Sequence, residues 1–330
     1  MQILSCYLNI LSTLPCFALA KVLTVQSYAA LGDSYAAGDG AGSSRFLPNL
    51  DITCGRFSGA YPVQIANSSH LNVQPFEFWN VACGGATTKS VILKQLTYVN
   101  GVDLVTIQVG GNEVDFFPVL NECIQQWRPL STCDRALTRA RRLIQSTYFV
   151  ETFHNMVAHA AKKMNGRGLL LILGYAKFFD AETEQCNSAT FSKTNPANVL
   201  SNELRRTFNG LVVMLNDIIR ASAEASGAVY VDVDGLFEGH RFCEEGVEEP
   251  RPDWEGTWFF REKGQKSKDV LQQLLFEPDR RIQEPKQLSW PNPLKEFADL
   301  TRTFHPTPNG HVAIAEKVVD IVRELQDASA

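Results

Sequence analysis

The chain has 330 residues, of which 45% are apolar and 20% charged, an ordinary composition for one large globular domain or two small ones. Its formal net charge of -5 argues against nucleic acid as a partner. No basic run contradicts this exclusion, because Arg139, Arg141 and Arg142 fit one face of a helix.

The first 20 residues differ from the rest of the chain. They are almost uncharged and apolar from Ile3 to Ala20, and small residues at positions 18 and 20 suit cleavage by signal peptidase before Lys21. An uncleaved membrane anchor is the alternative, although the run is barely long enough to span a bilayer. We therefore expect residues 1–20 to be a signal peptide and the protein to be secreted. No later stretch is long and apolar enough to cross a membrane, so we expect no stable membrane insertion once the signal is removed.

Six cysteines remain after removal of the signal peptide, an even number that suggests disulfides in an exported chain. Sequence alone does not choose among the possible pairings. Pairing in chain order is the simplest expectation and gives Cys54–Cys83, Cys123–Cys133 and Cys186–Cys243. There is no Cys-x-x-Cys motif, which argues against a zinc or redox site. Asn67 begins the one glycosylation sequon that we find, Asn67-Ser68-Ser69.

Five short apolar runs, each followed by glycine or polar residues, predict buried β-strands. They lie at residues 28–31, 76–82, 102–109, 169–173 and 228–233. Helical periodicity lies between them, clearly over 200–218 and more loosely over 136–163, and a last helix begins near Pro308 and continues through Val322. Strands that alternate with helices predict an α/β fold with a parallel, doubly wound sheet. We find no internal repeat and no linker, so we expect a single domain over 21–330.

Residues 236–304 fit this pattern poorly, and we expect an irregular insertion at about this position. An acidic, proline-containing stretch is followed by large aromatic residues without a clear period, namely Trp254, Trp258, Phe259, Phe260 and Trp290. These aromatic residues either pack on the body of the domain or form a wall or lid over a substrate cleft.

Polar or glycine residues follow the first three strands, at the points where parallel α/β sheets bind ligands. Ser34 follows the first strand after Gly32, and a serine there is either a helix cap or a nucleophile. Gly85 follows the second strand and Asn112 the third. Adjacent parallel strands bring these ends to one edge of the sheet. The Ser34 N–H, the Gly85 N–H and the Asn112 side-chain amide would then be neutral donors for an oxyanion.

The base that a serine nucleophile needs must come from a distant histidine. Four of the six histidines lie in helical patterns or in loops without neighbouring chemical groups, namely His70, His154, His159 and His240. His305 stands just before the last helix, in a loop that this architecture returns to the same edge of the sheet. His311 falls in the first turn of that helix, and we interpret it as structural.

These pieces resemble the GDSL-type, or SGNH, hydrolase superfamily. The matching motifs are Gly32-Asp33-Ser34-Tyr35, Gly85 within Cys83-Gly84-Gly85-Ala86-Thr87, Gly111-Asn112, and His305-Pro306 followed by Gly310. Their order matches from Ala30 to Val322, and the chain is most similar to secreted actinobacterial and fungal esterases and lipases. The resemblance implies a three-layer α/β/α, flavodoxin-like fold with a five-stranded parallel sheet.

The resemblance also implies ester hydrolysis through an acyl-enzyme. Ser34 would be the nucleophile, His305 the general base, and Ser34, Gly85 and Asn112 the oxyanion hole, while Asp33 would brace the nucleophile turn. The implied mechanism needs no metal and no cofactor. Its substrate is a small-molecule or lipid ester, and we expect the protein to act as a monomer.

Two positions depart from the family pattern. Arg302 stands three residues before His305, where the family often has the aspartate that orients the histidine, and an arginine side chain cannot accept a hydrogen bond. The Arg302 backbone carbonyl or the Asp299 carboxylate would have to take that role, and we favour the carbonyl. Glu113 follows Asn112 where the family commonly has aspartate, and this change should not touch the chemistry.

The sequence thus predicts a secreted serine esterase or lipase that hydrolyses carboxylic esters. An acetyl esterase acting on plant polysaccharide and a catalytically silent binding protein with the same fold are the alternatives, since a fold does not by itself confer function. A lipid or long-chain ester is the favoured substrate, and the acyl and alcohol groups stay open.

Overall fold

The computed structural model describes residues 25–42, 54–71, 76–127, 129–166, 168–192, 194–250, 255–260 and 302–328. The sheet, the three strand ends predicted to carry the site and the last helix all lie within these ranges. The predicted signal peptide, Trp254, Trp290 and Asp299 lie outside them.

Five parallel strands form one sheet in the order β2-β1-β3-β4-β5, as in flavodoxin-like folds. Their bounds are Ser27–Gly32 for β1, Glu77–Asn80 for β2, Leu104–Gln108 for β3, Leu169–Leu173 for β4 and Val229–Val231 for β5. Every residue of the central strand β3 is buried, as is typical of a strand covered by helices on both faces. The predicted α/β fold with a five-stranded parallel sheet is confirmed.

Helices flank this sheet in the described ranges: α1 Ser34–Ala37, α2 Tyr61–Ala66, α3 Thr88–Ser90, α4 Phe116–Leu120, α5 Cys133–Ile144, α6 Thr147–Met164, α7 Asn202–Ala225 and α8 Pro308–Asp327. π-Helical turns extend α3 and α4, at Val91–Gln95 and Asn121–Gln125, and 3₁₀ turns lie at Leu96–Tyr98, Gln185–Ser188 and Asp234–Phe237. α2 packs on α8, while α6 packs on α7. Within the described ranges, no helix combines the length and the apolar character needed to span a membrane.

The helix predicted loosely over 136–163 is two helices in the structure. α5 ends at Ile144, and Ser146 caps α6, its hydroxyl accepting a hydrogen bond from the Phe149 N–H at 3.2 Å. Serine favours this capping position over a helix interior, because its hydroxyl competes for backbone hydrogen bonds. The apolar pattern continues across the break because α5 and α6 both pack on α7.

Three disulfides join the loops around the sheet, Cys54–Cys83, Cys123–Cys133 and Cys186–Cys243, the pairs that chain order predicts. The first bridge lies beside Gly85, in a loop that is also held by a hydrogen bond from the Gly84 N–H to the Cys54 carbonyl at 2.9 Å. Disulfides of this kind restrict the unfolded chain and so stabilise the folded one.

The described part of the predicted insertion packs its aromatic rings on the body of the domain. Phe242 and Phe259 are fully buried, and the Phe259 ring lies 5.2 Å from that of Phe178, centroid to centroid. Trp258 stacks on the His240 ring at 3.5 Å. Packing is therefore the interpretation that fits these residues. The rest of the insertion, and with it the predicted wall or lid, lies outside the described residues.

Candidate active site

The candidate site lies where the strand order reverses. The chain passes from β1 outward to β2 and then returns past β1 to β3, so the loops that follow β1 and β3 leave on opposite sides. Ligands of open α/β sheets bind in the crevice at such a point. Ser34 begins α1 directly after β1 and Asn112 lies in the loop after β3, so both predicted residues border this crevice.

Gly32 lets β1 turn sharply into α1. Its φ is 141°, and a Cβ at this position would lie 2.1 Å from the Gln108 carbonyl oxygen, so only glycine fits. The buried Gln95 side chain brackets the same residue, because its Oε1 accepts the Gly32 N–H at 2.8 Å and its Nε2 donates to the Gly32 carbonyl at 3.0 Å. The Asp33 N–H donates to the Gln108 carbonyl at 3.0 Å. The turn that carries Ser34 is therefore fixed by β3 and by the helical segment after β2.

Ser34 and His305 are in hydrogen-bond contact although 271 positions separate them in the chain. Ser34 Oγ lies 2.6 Å from His305 Nε2. His305 Nδ1 lies 3.2 Å from the Arg302 carbonyl oxygen, which also accepts the His305 N–H at 2.9 Å. Because a carbonyl oxygen can only accept a hydrogen bond, this contact requires the ring proton on Nδ1. Nε2 is then the acceptor for the serine hydroxyl. Asp299, the alternative orienting group, lies outside the described residues.

Residues 258–260 support the histidine loop through backbone hydrogen bonds. The Phe260 N–H donates to the His305 carbonyl at 2.8 Å, and the Phe304 N–H donates to the Phe260 carbonyl at 3.0 Å. Phe260 also packs against Gly40, where a Cβ would lie 3.0 Å from its ring. The described end of the insertion thus links the histidine loop to the loop that follows α1.

Gly85 and Asn112, the other predicted donors, are exposed to solvent. Gly85 has a φ of 73°, a left-handed conformation that glycine adopts without strain, and no acceptor among the described residues takes its N–H. Asn112 Nδ2 donates one hydrogen to the Ala86 carbonyl at 2.9 Å, which orients the amide and joins the two donor loops. The loop of Gly85 is tied to the nucleophile turn as well, since the Cys83 N–H donates to the Gly32 carbonyl at 3.0 Å.

The Asp33 carboxyl is buried beneath the nucleophile turn. Its Oδ1 accepts the Tyr35 N–H at 2.9 Å, and its Oδ2 accepts the Tyr175 hydroxyl at 2.6 Å. Burial raises the pKa of Asp33 to about 7, although both hydrogen bonds oppose that rise. These contacts are those of a residue that braces the turn.

Two further acidic residues lie on the neighbouring loops. Burial raises the pKa of Glu113, whose Oε1 accepts the Thr88 N–H and so holds α3 to the loop after β3. Burial also raises the pKa of Asp39, while the charges of His305 and Arg302 oppose that rise. Sequence reasoning did not single out Asp39 as part of the surroundings of His305, because no local pattern signals it.

Sequence reasoning also missed Tyr175. This residue follows β4 and Gly174 much as Ser34 follows β1, and its place at a strand end is the signal that would have found it. Besides donating to Asp33, its hydroxyl accepts the Gly111 N–H at 3.3 Å. Tyr175 therefore contacts both the nucleophile turn and the loop of Asn112.

The other histidines have different surroundings. His70, His154 and His159 are exposed on the surface, and His240 Nδ1 lies 2.8 Å from the Gly256 carbonyl. His311 is fully buried, its Nδ1 accepts the Tyr61 N–H at 3.3 Å, and burial lowers its pKa to about 3. A ring that is so rarely protonated suits packing rather than proton transfer.

The arrangement has the parts that acyl transfer needs. A hydroxyl in contact with an imidazole can lose its proton as it attacks a carbonyl carbon, and fixed N–H donors can stabilise the oxyanion that forms. No group of three or more metal-ligating His, Cys, Asp or Glu side chains occurs among the residues that the structure describes.

Comparison with known proteins gives a family match over most of the chain. The family model described as the GDSL-like Lipase/Acylhydrolase family matches residues 30–313. The chain is 33% identical over 225 residues to a lipase of Streptomyces rimosus, a match that covers 68% of this chain and 76% of the relative. It is 29% identical over 225 residues to Lipase 1 of Streptomyces coelicolor, with 68% and 75% covered.

Two solved structures share the fold. The extracellular lipase from Streptomyces rimosus matches with a TM-score of 0.63 and 24% identity, covering 89% of this chain and 98% of that one. The phospholipase A1 from Streptomyces albidoflavus matches with a TM-score of 0.62 and 23% identity, covering 90% and 98%.

Proposed function

The chain belongs to the GDSL-like lipase/acylhydrolase family, and we propose that it is a secreted serine esterase that hydrolyses lipid or other long-chain carboxylic esters through an acyl-enzyme. The observation that carries this proposal is the 2.6 Å contact between Ser34 Oγ and His305 Nε2 beside the crevice of the sheet. The Streptomyces rimosus relative is named a lipase, which favours a lipid ester over an acetylated polysaccharide.

In the first half of the proposed reaction, Ser34 Oγ attacks the ester carbonyl carbon as its proton passes to His305 Nε2. The negative oxygen of the tetrahedral intermediate accepts hydrogen bonds from the Ser34 N–H, the Gly85 N–H and the Asn112 amide. His305 then gives the proton to the leaving alcohol, and the acyl group stays on Ser34. In the second half His305 takes a proton from water as the water oxygen attacks the acyl carbon, and it returns that proton to Ser34 Oγ as the carboxylic acid leaves.

The orienting role falls to the Arg302 carbonyl in this proposal. Its oxygen lies 3.2 Å from His305 Nδ1, within reach of the proton on that nitrogen. A carbonyl dipole stabilises the protonated ring less than a carboxylate does.

Export is supported by the three disulfides, since such bonds persist in oxidising compartments. We place the signal peptide at residues 1–20, and amino-terminal sequencing of the exported protein should then read from Lys21. An exported protein that still begins at Met1 would contradict this placement. Asn67 is exposed, as a glycosylated residue must be, and a mass decrease of its peptide on enzymatic deglycosylation would identify the glycan.

Covalent labelling tests the serine directly. A fluorophosphonate probe should label the purified protein on Ser34 and stop its turnover of p-nitrophenyl esters, while Ser34→Ala should neither label nor turn over. Circular dichroism and thermal melting serve as the folding control, because the substitution removes one hydroxyl from a half-buried position. A correctly folded wild-type protein that is not labelled by the probe and does not hydrolyse these esters would contradict the proposal and favour a catalytically silent binding protein.

A substrate panel then tests the lipid preference. We expect kcat/KM to rise from p-nitrophenyl acetate toward longer acyl chains, and phosphatidylcholine to be hydrolysed in preference to acetylated xylan. The reverse order, with acetate and acetylated xylan preferred, would reject the lipid class and leave an acetyl esterase.

A further inference from the structure

A buried group of three side chains, Asp33, Tyr35 and Tyr175, links the turn that carries Ser34 to the loops of Asn112 and His305. We propose that Tyr175 and Tyr35 are positioning residues, Tyr175 setting the Asn112 loop and Tyr35 setting the His305 loop against the nucleophile turn. This inference rests on the proposed function, because it assigns the two tyrosines a role in that reaction.

Tyr175 joins the nucleophile turn to the donor loop through one oxygen atom. Its hydroxyl donates to Asp33 Oδ2 at 2.6 Å and accepts the Gly111 N–H at 3.3 Å. The side chain is 1% exposed, and its ring lies 3.7 Å from where a Gly111 Cβ would stand. Gly111 immediately precedes Asn112, so the same contact that holds Asp33 also fixes the backbone from which the Asn112 amide extends.

Tyr35 joins the nucleophile turn to the histidine loop. It follows Ser34 in α1, and its hydroxyl donates to the Phe304 carbonyl at 2.7 Å. Its ring lies 4.9 Å from the His305 ring, centroid to centroid. Phe304 has a φ of 69°, a left-handed conformation that a residue with a bulky side chain rarely adopts and that persists only when its surroundings hold it. The hydrogen bond from the Tyr35 hydroxyl holds the Phe304 backbone next to the turn that carries Ser34.

The two tyrosines also contact each other, so the two loops share one support. Their rings meet edge to face with centroids 5.0 Å apart, and Asp33 accepts the Tyr35 N–H on one oxygen and the Tyr175 hydroxyl on the other. Buried hydrogen bonds of this kind have no water to replace them, so losing one displaces the groups that it held. A displacement of even an ångström at a reacting group costs up to about a hundredfold in rate.

Removal of single hydroxyl groups tests the proposal. Tyr175→Phe and Tyr35→Phe keep the rings, and each should lower kcat for p-nitrophenyl butyrate by roughly ten- to a hundredfold with KM changed less than about twofold. Tyr28→Phe is the matched control. Its hydroxyl is equally buried in β1 and bonds Thr106 Oγ1 at 2.8 Å, but it contacts none of the three loops. Tyr28→Phe should melt at a similarly reduced temperature and keep its kcat.

A double-mutant cycle separates positioning from general stability. If Tyr175 acts through the Asn112 loop, Tyr175→Phe should lower kcat far less in an Asn112→Ala background, whereas Tyr35→Phe should keep its full effect there. Equal losses for Tyr175→Phe in both backgrounds, or a Tyr28→Phe loss in kcat as large as that of Tyr175→Phe, would overturn the proposal.

Hydrogen exchange gives a readout that does not depend on activity. Tyr175→Phe should speed exchange of the amides over 110–114, Tyr35→Phe should speed exchange over 302–306, and Tyr28→Phe should do neither. These changes in a protein without esterase activity would reject the proposed function while leaving the positioning network intact. Unchanged exchange in both segments would reject the network even if the wild type is an active esterase.

Discussion

Two histidines stand six residues apart near the start of α8, and the structure gives them opposite surroundings. His305 is half-buried in the loop before the helix. Its Nε2 lies within hydrogen-bond distance of Ser34 Oγ, and its Nδ1 faces the Arg302 carbonyl oxygen. His311 is fully buried in the first turn of α8, where it accepts the Tyr61 N–H and its ring lies 6.1 Å from the Tyr61 ring.

The difference bears on which of the two imidazoles suits the proposed role of general base. A general base must be able to hold the proton that it receives, and burial without a partner for the charge removes that ability. Burial lowers the pKa of His311 to about 3, whereas His305 is half-buried and has the Arg302 carbonyl at Nδ1. The same residue type therefore supports the fold at one position and is placed for chemistry at the other.

The largest expected effects come from replacing each of the two histidines by alanine in turn. We expect His305→Ala to lower kcat by on the order of a millionfold, because Ser34 would lose its proton acceptor, with thermal melting nearly unchanged. His311→Ala should do the opposite, lowering the free energy of unfolding by about 2–4 kcal/mol through a buried cavity and a lost hydrogen bond, and keeping kcat per folded molecule. Steady-state kinetics and urea unfolding of both variants make the comparison.

The active-site fraction of the His311→Ala sample, counted with the fluorophosphonate probe, is the control for partial unfolding. A loss of kcat per labelled site in His311→Ala as severe as that in His305→Ala would contradict a purely structural role for His311.

The stability that His311 contributes depends on pH. The pKa of His311 falls from 6.5 to about 3 on folding, so between these values the unfolded chain binds a proton that the folded chain does not. The free energy of unfolding is therefore highest with respect to this residue above pH 6.5. It falls as the pH drops toward 3, by up to about 1.4 kcal/mol per pH unit. We expect His311→Asn to lower the slope of unfolding free energy against pH by that amount between pH 4 and 6, as measured by urea unfolding.

A variant of Asp33 should change the slope of unfolding free energy against pH in the opposite direction. Its pKa rises from 3.8 to about 7 on folding, so the folded chain keeps a proton that the unfolded chain has lost, and stability falls as the pH rises through this window. Asp33→Asn should raise the slope over the same pH range by a similar amount. Slopes that match the wild type in both variants would mean that neither group is shifted as its burial requires.

The smallest expected effect concerns the group that orients His305. Asp299→Asn should lower kcat less than about tenfold if the Arg302 carbonyl takes the Nδ1 proton, because a carbonyl that belongs to the backbone is unaffected by the change. Neutralising a true triad carboxylate costs about ten-thousandfold. A loss of that size, measured in steady-state kinetics, would assign the role to Asp299 and reject the carbonyl.

Much of the fold could be read from local patterns. The apolar runs predicted all five strands, and the recurrence of Leu204, Leu211 and Leu215 predicted α7, because strand and helix periods are visible within a short window. The break at Ser146 was harder, since α5 and α6 both face α7 and the apolar pattern does not stop where the helix does. The position of Tyr175 after β4 is a local signal of a site, but its hydrogen bonds to Asp33 and Gly111 are visible in no local pattern.

By itself, the amino-acid sequence determined the alternation of strands and helices, the polar residues at the strand ends and the order of the family motifs, because these are properties of neighbouring positions. The tertiary structure was needed to show that Ser34 Oγ meets His305 Nε2, that His311 is enclosed, and that Tyr175 links Asp33 to Gly111. The physical reason is that hydrogen bonding and burial act through space. Residues far apart in the chain meet only when the packed helices and the strand order bring their loops together.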